Sequence, residues 1–167
     1  MNPQVYDPNR RQHYEFVPDG ENLIVDIRAE PGGDGPPHFH PLQEERWTVL
    51  SGRVRFKVNG RRTVPEPGIE IVVPAGAKHS FKNIGGGEAR IRAEVRPAGE
   101  IEAFLTEGAE LARAGCYTRR GLITSPSGAR RMVEFLERYR ETAVILWPPR
   151  FVQRILAAVL RPSRRRA

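Results

Sequence analysis

The chain of 167 residues holds one cysteine, Cys116, so no internal disulfide can form. A reducing interior is the expected setting. Cys116 itself reads as a small buried apolar residue, since no activating group stands beside it in the sequence. Long hydrophobic runs are missing too. The longest, AVILW at 143–147 and ILAAVL at 155–160, fall far short of the roughly 20 residues that span a bilayer. The start, MNPQVYDPNRRQHYEF, lacks the apolar stretch of a secretory leader, and the cytoplasm is the expected compartment. Lysine is scarce: only Lys57, Lys78 and Lys82 accompany the arginines. The net charge of +7 falls wholly within residues 101–167, leaving residues 1–100 electrically balanced. The basic residues do not interleave with aromatics and no nucleic-acid module is recognisable. A solvated arginine-rich helical surface is therefore expected, with no nucleic-acid partner. There is no internal repeat. Hydrophobic residues at 39% and charged residues at 28% describe an ordinary globular chain with enough length for a real core.

The stretch from Gly35 to Gly52, GPPHFHPLQEERWTVLSG, organises the rest. His38 and His40 are two apart, so on an extended strand both imidazoles leave the same face, while Phe39 points away. Glu45, Trp47 and Val49 continue at a period of two until Gly52. Two imidazoles and a carboxylate beside apolar neighbours are three ligands for a divalent metal in a pocket wall. A second stretch, Gly68 to Asn83, reads GIEIVVPAGAKHSFKN. Ile69, Ile71 and Val73 alternate, and a turn on Pro74 and Gly76 reverses the chain, which lets His79 face the first two histidines.

The spacing of Gly, His-x-His, Glu and Gly in the first stretch resembles the first motif of the cupin superfamily. Gly68, Pro74, Gly76, His79 and Asn83 resemble its second motif without a departure. The likeness covers about residues 20–97. It implies an all-β core, a double-stranded β-helix or jelly-roll barrel, with a divalent transition metal held by His38, His40, Glu45 and His79. Iron, manganese, nickel, cobalt, copper and zinc all suit such a ligand set. Glu44 is expected to point outward.

Other segments fill in the barrel. Residues 1–20 are expected to form an extended arm ending in a turn at Asp19-Gly20; the resemblance implies that such an arm pairs with a neighbouring subunit in a homodimer. Asn22 to Glu30, Val54 to Val58 and residues 88–96 alternate as strands. Pro31 to Pro37 is expected to be an irregular loop. Asn59-Gly60 is the strongest hairpin signal. After Pro97 the period becomes helical, dividing the chain into a barrel with its arm (1–97) and a helical extension with a basic tail (98–167). Ile101, Phe104, Leu105 and Ala112 form one stripe that stops at Gly115. Ser125-Pro126 caps a second, with Ala129, Met132, Val133, Leu136 and Tyr139. Past Pro148-Pro149, residues Phe151, Val152, Ile155, Leu156 and Val159 form a third, packing on protein in preference to an anionic membrane surface. This organisation resembles bacterial cupin-domain proteins with a helical extension.

Three neutral imidazoles and a carboxylate leave a divalent ion with net charge +1 and, if octahedral, two open positions for an anionic substrate, water or dioxygen. The resemblance implies a metal-dependent dioxygenase like quercetin dioxygenase, acting on a small organic molecule. Trp47, Val49, Phe56 and Phe81 would line the apolar part of its pocket. A non-catalytic sensing barrel is the alternative. A sugar isomerase or epimerase is a third reading, and it needs an acid/base pair that the motifs do not supply.

Overall fold

Strands occupy nearly all of the first hundred residues because apolar and polar side chains alternate there with few interruptions. The computed structural model describes residues 4–146, and the third expected helix lies outside them. In chain order the strands are β1 (Val5–Asp7), β2 (Gln12–Asp19), β3 (Asn22–Ala29), β4 (Asp34–Phe39) and β5 (Glu44–Ser51). Next come β6 (Val54–Val58), β7 (Arg61–Thr63), β8 (Glu70–Val73), β9 (His79–Asn83) and β10 (Ala89–Arg96). Two helices follow, α1 (Ile101–Arg113) and α2 (Pro126–Arg138), and then a short strand, β11 (Val144–Ile145).

Two antiparallel sheets form a jelly roll, one ordered β1-β2-β3-β10-β5-β8 and the other β11-β4-β9-β6-β7. Their inner faces share one core, in which Val25, Val49, Val54, Ile91 and Val95 are at most 2% exposed. Each such side chain contributes roughly 1.5–3 kcal/mol by leaving water. The outer face of the larger sheet is charged: Arg92 on β10 donates two 2.8 Å bonds to Asp26 on β3. Asn59 and Gly60 both take positive φ, 47° and 88°, which is what a two-residue turn between β6 and β7 demands.

Two expectations about local structure are corrected. The N-terminal arm is not a simple extended segment: β1 and β2 pair with each other, and β2 pairs with β3 of its own chain along its full length. The alternation of Gln12, Tyr14 and Phe16 (buried) with His13 and Glu15 (half-buried) explains the pairing. Pro31 to Pro37 is not wholly irregular either. Strand β4 starts at Asp34 and runs through Pro36 and Pro37, where its register with β9 shifts between Gly35 and His38. Proline is tolerated there because a bulge relieves it of donating to the ladder.

The helices close one side of the barrel. Ser125 caps α2, its hydroxyl accepting from the Gly128 N–H at 3.0 Å, and Pro126 follows as its first residue. Phe104 of α1 stacks on Phe135 of α2 at 5.2 Å, and Tyr139 meets both rings. Phe135, 3% exposed, lies beside the expected α2 stripe and is its most buried side chain. Cys116 is buried in the same cluster. No helix among the described residues is long and apolar enough to cross a membrane.

Candidate metal centre

Four side chains meet where the two sheets face each other. Strand β4 carries His38 and delivers His40 just past its end, β5 carries Glu45, and β9 opens on His79, which is paired directly with His38. The Pro74 turn between β8 and β9 is pinned to the first motif, with Gly76 N–H donating to the His40 carbonyl at 2.7 Å. Gly76 has φ 77°, a conformation that glycine adopts without strain. One potential ligand atom from each of the four residues lies within 4.8 Å of all the others. His40, Glu45 and His79 are 4%, 4% and 6% exposed. Glu44 points away and pairs with Arg46 at 3.0 Å.

Each imidazole is oriented by a backbone carbonyl. His38 Nδ1 lies 2.7 Å from the Pro36 oxygen, His40 Nδ1 2.7 Å from the Thr142 oxygen, and His79 Nδ1 3.0 Å from the Ala77 oxygen. A carbonyl only accepts, so all three Nδ1 atoms carry a proton and each ring turns its Nε2 inward. His38 Nε2 and His40 Nε2 are 3.1 Å apart. Two lone pairs at that distance repel. A metal at about 2.1 Å from each nitrogen sets neighbouring ligands about 3 Å apart and removes the repulsion, so the donor set fits a divalent ion.

Glu45 is the charged member. Its Oε2 accepts from Trp47 Nε1 at 3.0 Å and lies 2.9 Å from His79 Nε2, and its Oε1 lies 3.4 Å from His40 Nε2. The contact to His79 is close but not aligned as a hydrogen bond, leaving Nε2 unpartnered by that stricter measure. Burial alone would raise the pKa of Glu45; the surrounding imidazoles outweigh it and pull it to about 2. Burial lowers the pKa of His38 well below the ordinary value, and positive charge on His79 and His40 would push the same way. For His79 burial also disfavours the charged form, but Glu45 outweighs it and the net shift is upward.

The site opens into a cavity of about 190 Å³ between the sheets and the helices. Trp47 and Phe81 line it. Val49 and Phe56 lie in the core and not on its wall; Phe56 packs against both Trp47 and Phe81. Sequence reasoning did not find the helical wall, built by Phe104, Leu105, Met132 and Leu136, nor the polar residues Asp7, Arg10, Gln12 and Asp34. The inward alternation of Gln12 and Tyr14 was a usable signal. A backbone carbonyl such as that of Thr142 gives none.

Residues 25–95 match the family model described as Cupin domain. Among curated proteins the chain is similar to a probable oxidoreductase, patJ, of Aspergillus clavatus, with 41% identity over 78 residues; this covers 42% of the chain and 24% of that relative. It is also similar to the oxidoreductase OpS7 of Beauveria bassiana, 50% identical over 48 residues, covering 28% of the chain and 15% of that protein. The chain thus spans a quarter or less of the length of these relatives. Among solved structures, KdgF from Halomonas sp. superposes with a TM-score of 0.52 at 17% identity, covering 58% of this chain and 89% of that one.

Proposed function

Because this chain belongs to the cupins, through the domain at residues 25–95, we propose that it is a metal-dependent oxidoreductase of the dioxygenase kind, acting on a small, largely apolar organic substrate. The observation that carries the reading is the convergence of three Nε2 atoms and the Glu45 carboxylate, each ring already turned by a carbonyl, at one end of an apolar cavity. His38, His40, Glu45 and His79 hold a divalent transition metal. When bound, that metal supplies a Lewis acid with coordination positions open to substrate oxygens and dioxygen. The protein's own part is to bind, orient and shield. Trp47 and Phe81 on the sheets and Phe104 and Leu136 on the helices hold the apolar body of the substrate and keep water out. Trp47 Nε1 fixes the Glu45 carboxylate.

The names of the relatives, both oxidoreductases, support redox chemistry over isomerisation. So does the orientation of β10: Arg92 and Glu94 are on its outer face, where Arg92 is engaged with Asp26 and Glu94 with Arg96. They are not available as an acid/base pair beside the metal. Homodimeric assembly belongs to the same reading, supported by exposed Leu50, Ile69 and Val72 near the β8 edge.

The test is reconstitution. Protein produced in metal-depleted medium and loaded in turn with iron, manganese, nickel, cobalt, copper or zinc is assayed for dioxygen consumption with a panel of flavonols, β-diketones and thiols. Consumption that depends on both metal and substrate supports the proposal. A fully loaded protein that binds members of the panel without consuming dioxygen makes it a sensing module instead.

A further inference from the structure

The cavity has a second polar end that the metal centre does not use. On the inner face of β2, Gln12 is 2% exposed and Tyr14 is 4% exposed, and both line the cavity. Gln12 Nε2 has no hydrogen-bond partner among the described residues. Tyr14, two residues on, shares that inward face, its ring stacked on Phe16. Beside them Asp34, also on the cavity wall, faces Arg10 at 3.5 Å, with its Oδ1 unpartnered by hydrogen-bond geometry. Asp7, paired across from Gln12, already accepts from the N–H groups of Asn9 and Arg10.

A fully buried amide without a partner is costly, and native chains leave few of them. Such a group on a cavity wall, with Tyr14 next to it on the same strand face, is what a ligand polar group would complete. The register gives the distance to be bridged. Glu45 stands level with Val95 and Leu23, whereas Gln12 stands level with Ala29. The strand from Leu23 to Ala29 spans roughly 20 Å. Side chains reaching in from both ends shorten this to roughly 10–15 Å of apolar channel. Arg10 faces Asp34 there and Asp7 is a second acid on the same wall, so an anionic ligand group would meet two carboxyl groups and a guanidinium already engaged. A hydroxyl suits the set: it accepts from the Gln12 amide or the Tyr14 hydroxyl and donates to the Asp34 carboxylate.

Resting on the metal-centre reading above, we infer that the substrate is an elongated, largely apolar molecule. It carries chelating oxygens at one end and a neutral hydroxyl at the other, and Gln12 and Tyr14 bind that hydroxyl and set the length the site accepts.

The test uses four β-diketones: a phenyl and a biphenyl compound, each with and without a hydroxyl at the end of the ring system remote from the diketone. Calorimetric titration into the zinc-loaded full chain reads binding without turnover. The terminal hydroxyl should tighten the biphenyl compound about three- to tenfold, the range of one or two net hydrogen bonds, and leave the shorter phenyl compound unchanged. Gln12→Leu and Tyr14→Phe should each shrink that preference while binding zinc as before. Gln12→Leu removes an unpaired buried donor, so its thermal midpoint should not fall, and Tyr14→Phe gives an independent reading. Equal binding of the two biphenyl compounds, or a preference that survives both variants, overturns the inference and leaves the metal centre untouched. If no diketone binds a fully zinc-loaded chain, the chelating reading of the centre fails and this inference falls with it.

Discussion

The carbonyl oxygen of Thr142 lies 2.7 Å from His40 Nδ1, joining two residues 102 positions apart. The segment after α2 therefore orients one ring of the metal centre. Its position is held by β11, where Val144 pairs with Phe39 and Ile145 with His38, and by Leu146 N–H donating to the Pro37 carbonyl at 3.0 Å. Substituting Leu146→Pro removes that donor. Metal affinity, measured by competition with a chromogenic chelator, should fall up to about tenfold, as losses of outer-shell support do, while circular dichroism of the barrel is unchanged.

His79→Ala leaves three ligands and a space in the wall where the fourth stood. Elemental analysis after dialysis should show most of the metal gone. Unchanged metal content would overturn the ligand assignment.

Binding must displace protons, and the shifts at the site say which ones. Glu45, held at about 2, is a carboxylate throughout the usual range. His38, shifted well down, is neutral and ready. His79 is shifted up from 6.5 by Glu45, so it keeps its proton to higher pH than an ordinary histidine, and a metal must displace that proton. Apparent affinity should therefore weaken as pH falls through that raised value, by about tenfold per pH unit for one proton displaced. For the metal-free chain the sign differs between groups. The contribution of His79 is fully present below 6.5 and is lost as pH rises through its raised value. That of Glu45 is present above 4.5 and is lost as pH falls toward about 2. A His79→Gln chain should lose the first dependence in urea melts run across this range.

Trp47→Phe keeps the ring on the cavity wall and removes the N–H that Glu45 accepts at 3.0 Å. A hydrogen bond to a buried carboxylate is worth about 1.5–3 kcal/mol, and the metal-free chain should lose stability in that range by urea denaturation.

Gly128→Ala tests how α2 sits. A Cβ there would meet the Cys116 carbonyl at 2.7 Å, backbone that has little room to yield. The helix must shift outward, at a cost of about 1–3 kcal/mol. The variant should also bind metal less tightly, because Thr142 follows α2.

Much of this was legible in the chain itself. Period-two alternation marked β3, β6 and β10, and Asn59-Gly60 and Ser125-Pro126 announced their turn and cap through backbone preferences that are local. The gathering of His38, His40, Glu45 and His79 was legible because their spacing resembles the cupin motifs, and on β4 and β5 strand geometry turns such offsets into directions. What stayed hidden depends on distant partners. Pro36 and Pro37 argued against a strand, yet the shift in register with β9 absorbs them. Gln12 and Tyr14 lay in a segment whose proline and Asp-Gly content masked a short alternating run. The Thr142 contact is made by main chain, which every residue possesses, so no side chain betrays it.

Strand β11 also imposes an order in time. It lies beside β4 at the end of the smaller sheet, and it is the last described strand to leave the ribosome. All four donors are synthesised long before it, but until it arrives β4 is a bare margin and His40 has no Thr142 to steady it. An ion met earlier in synthesis finds a looser cage, and the finished grip comes only with the final stretch of described chain.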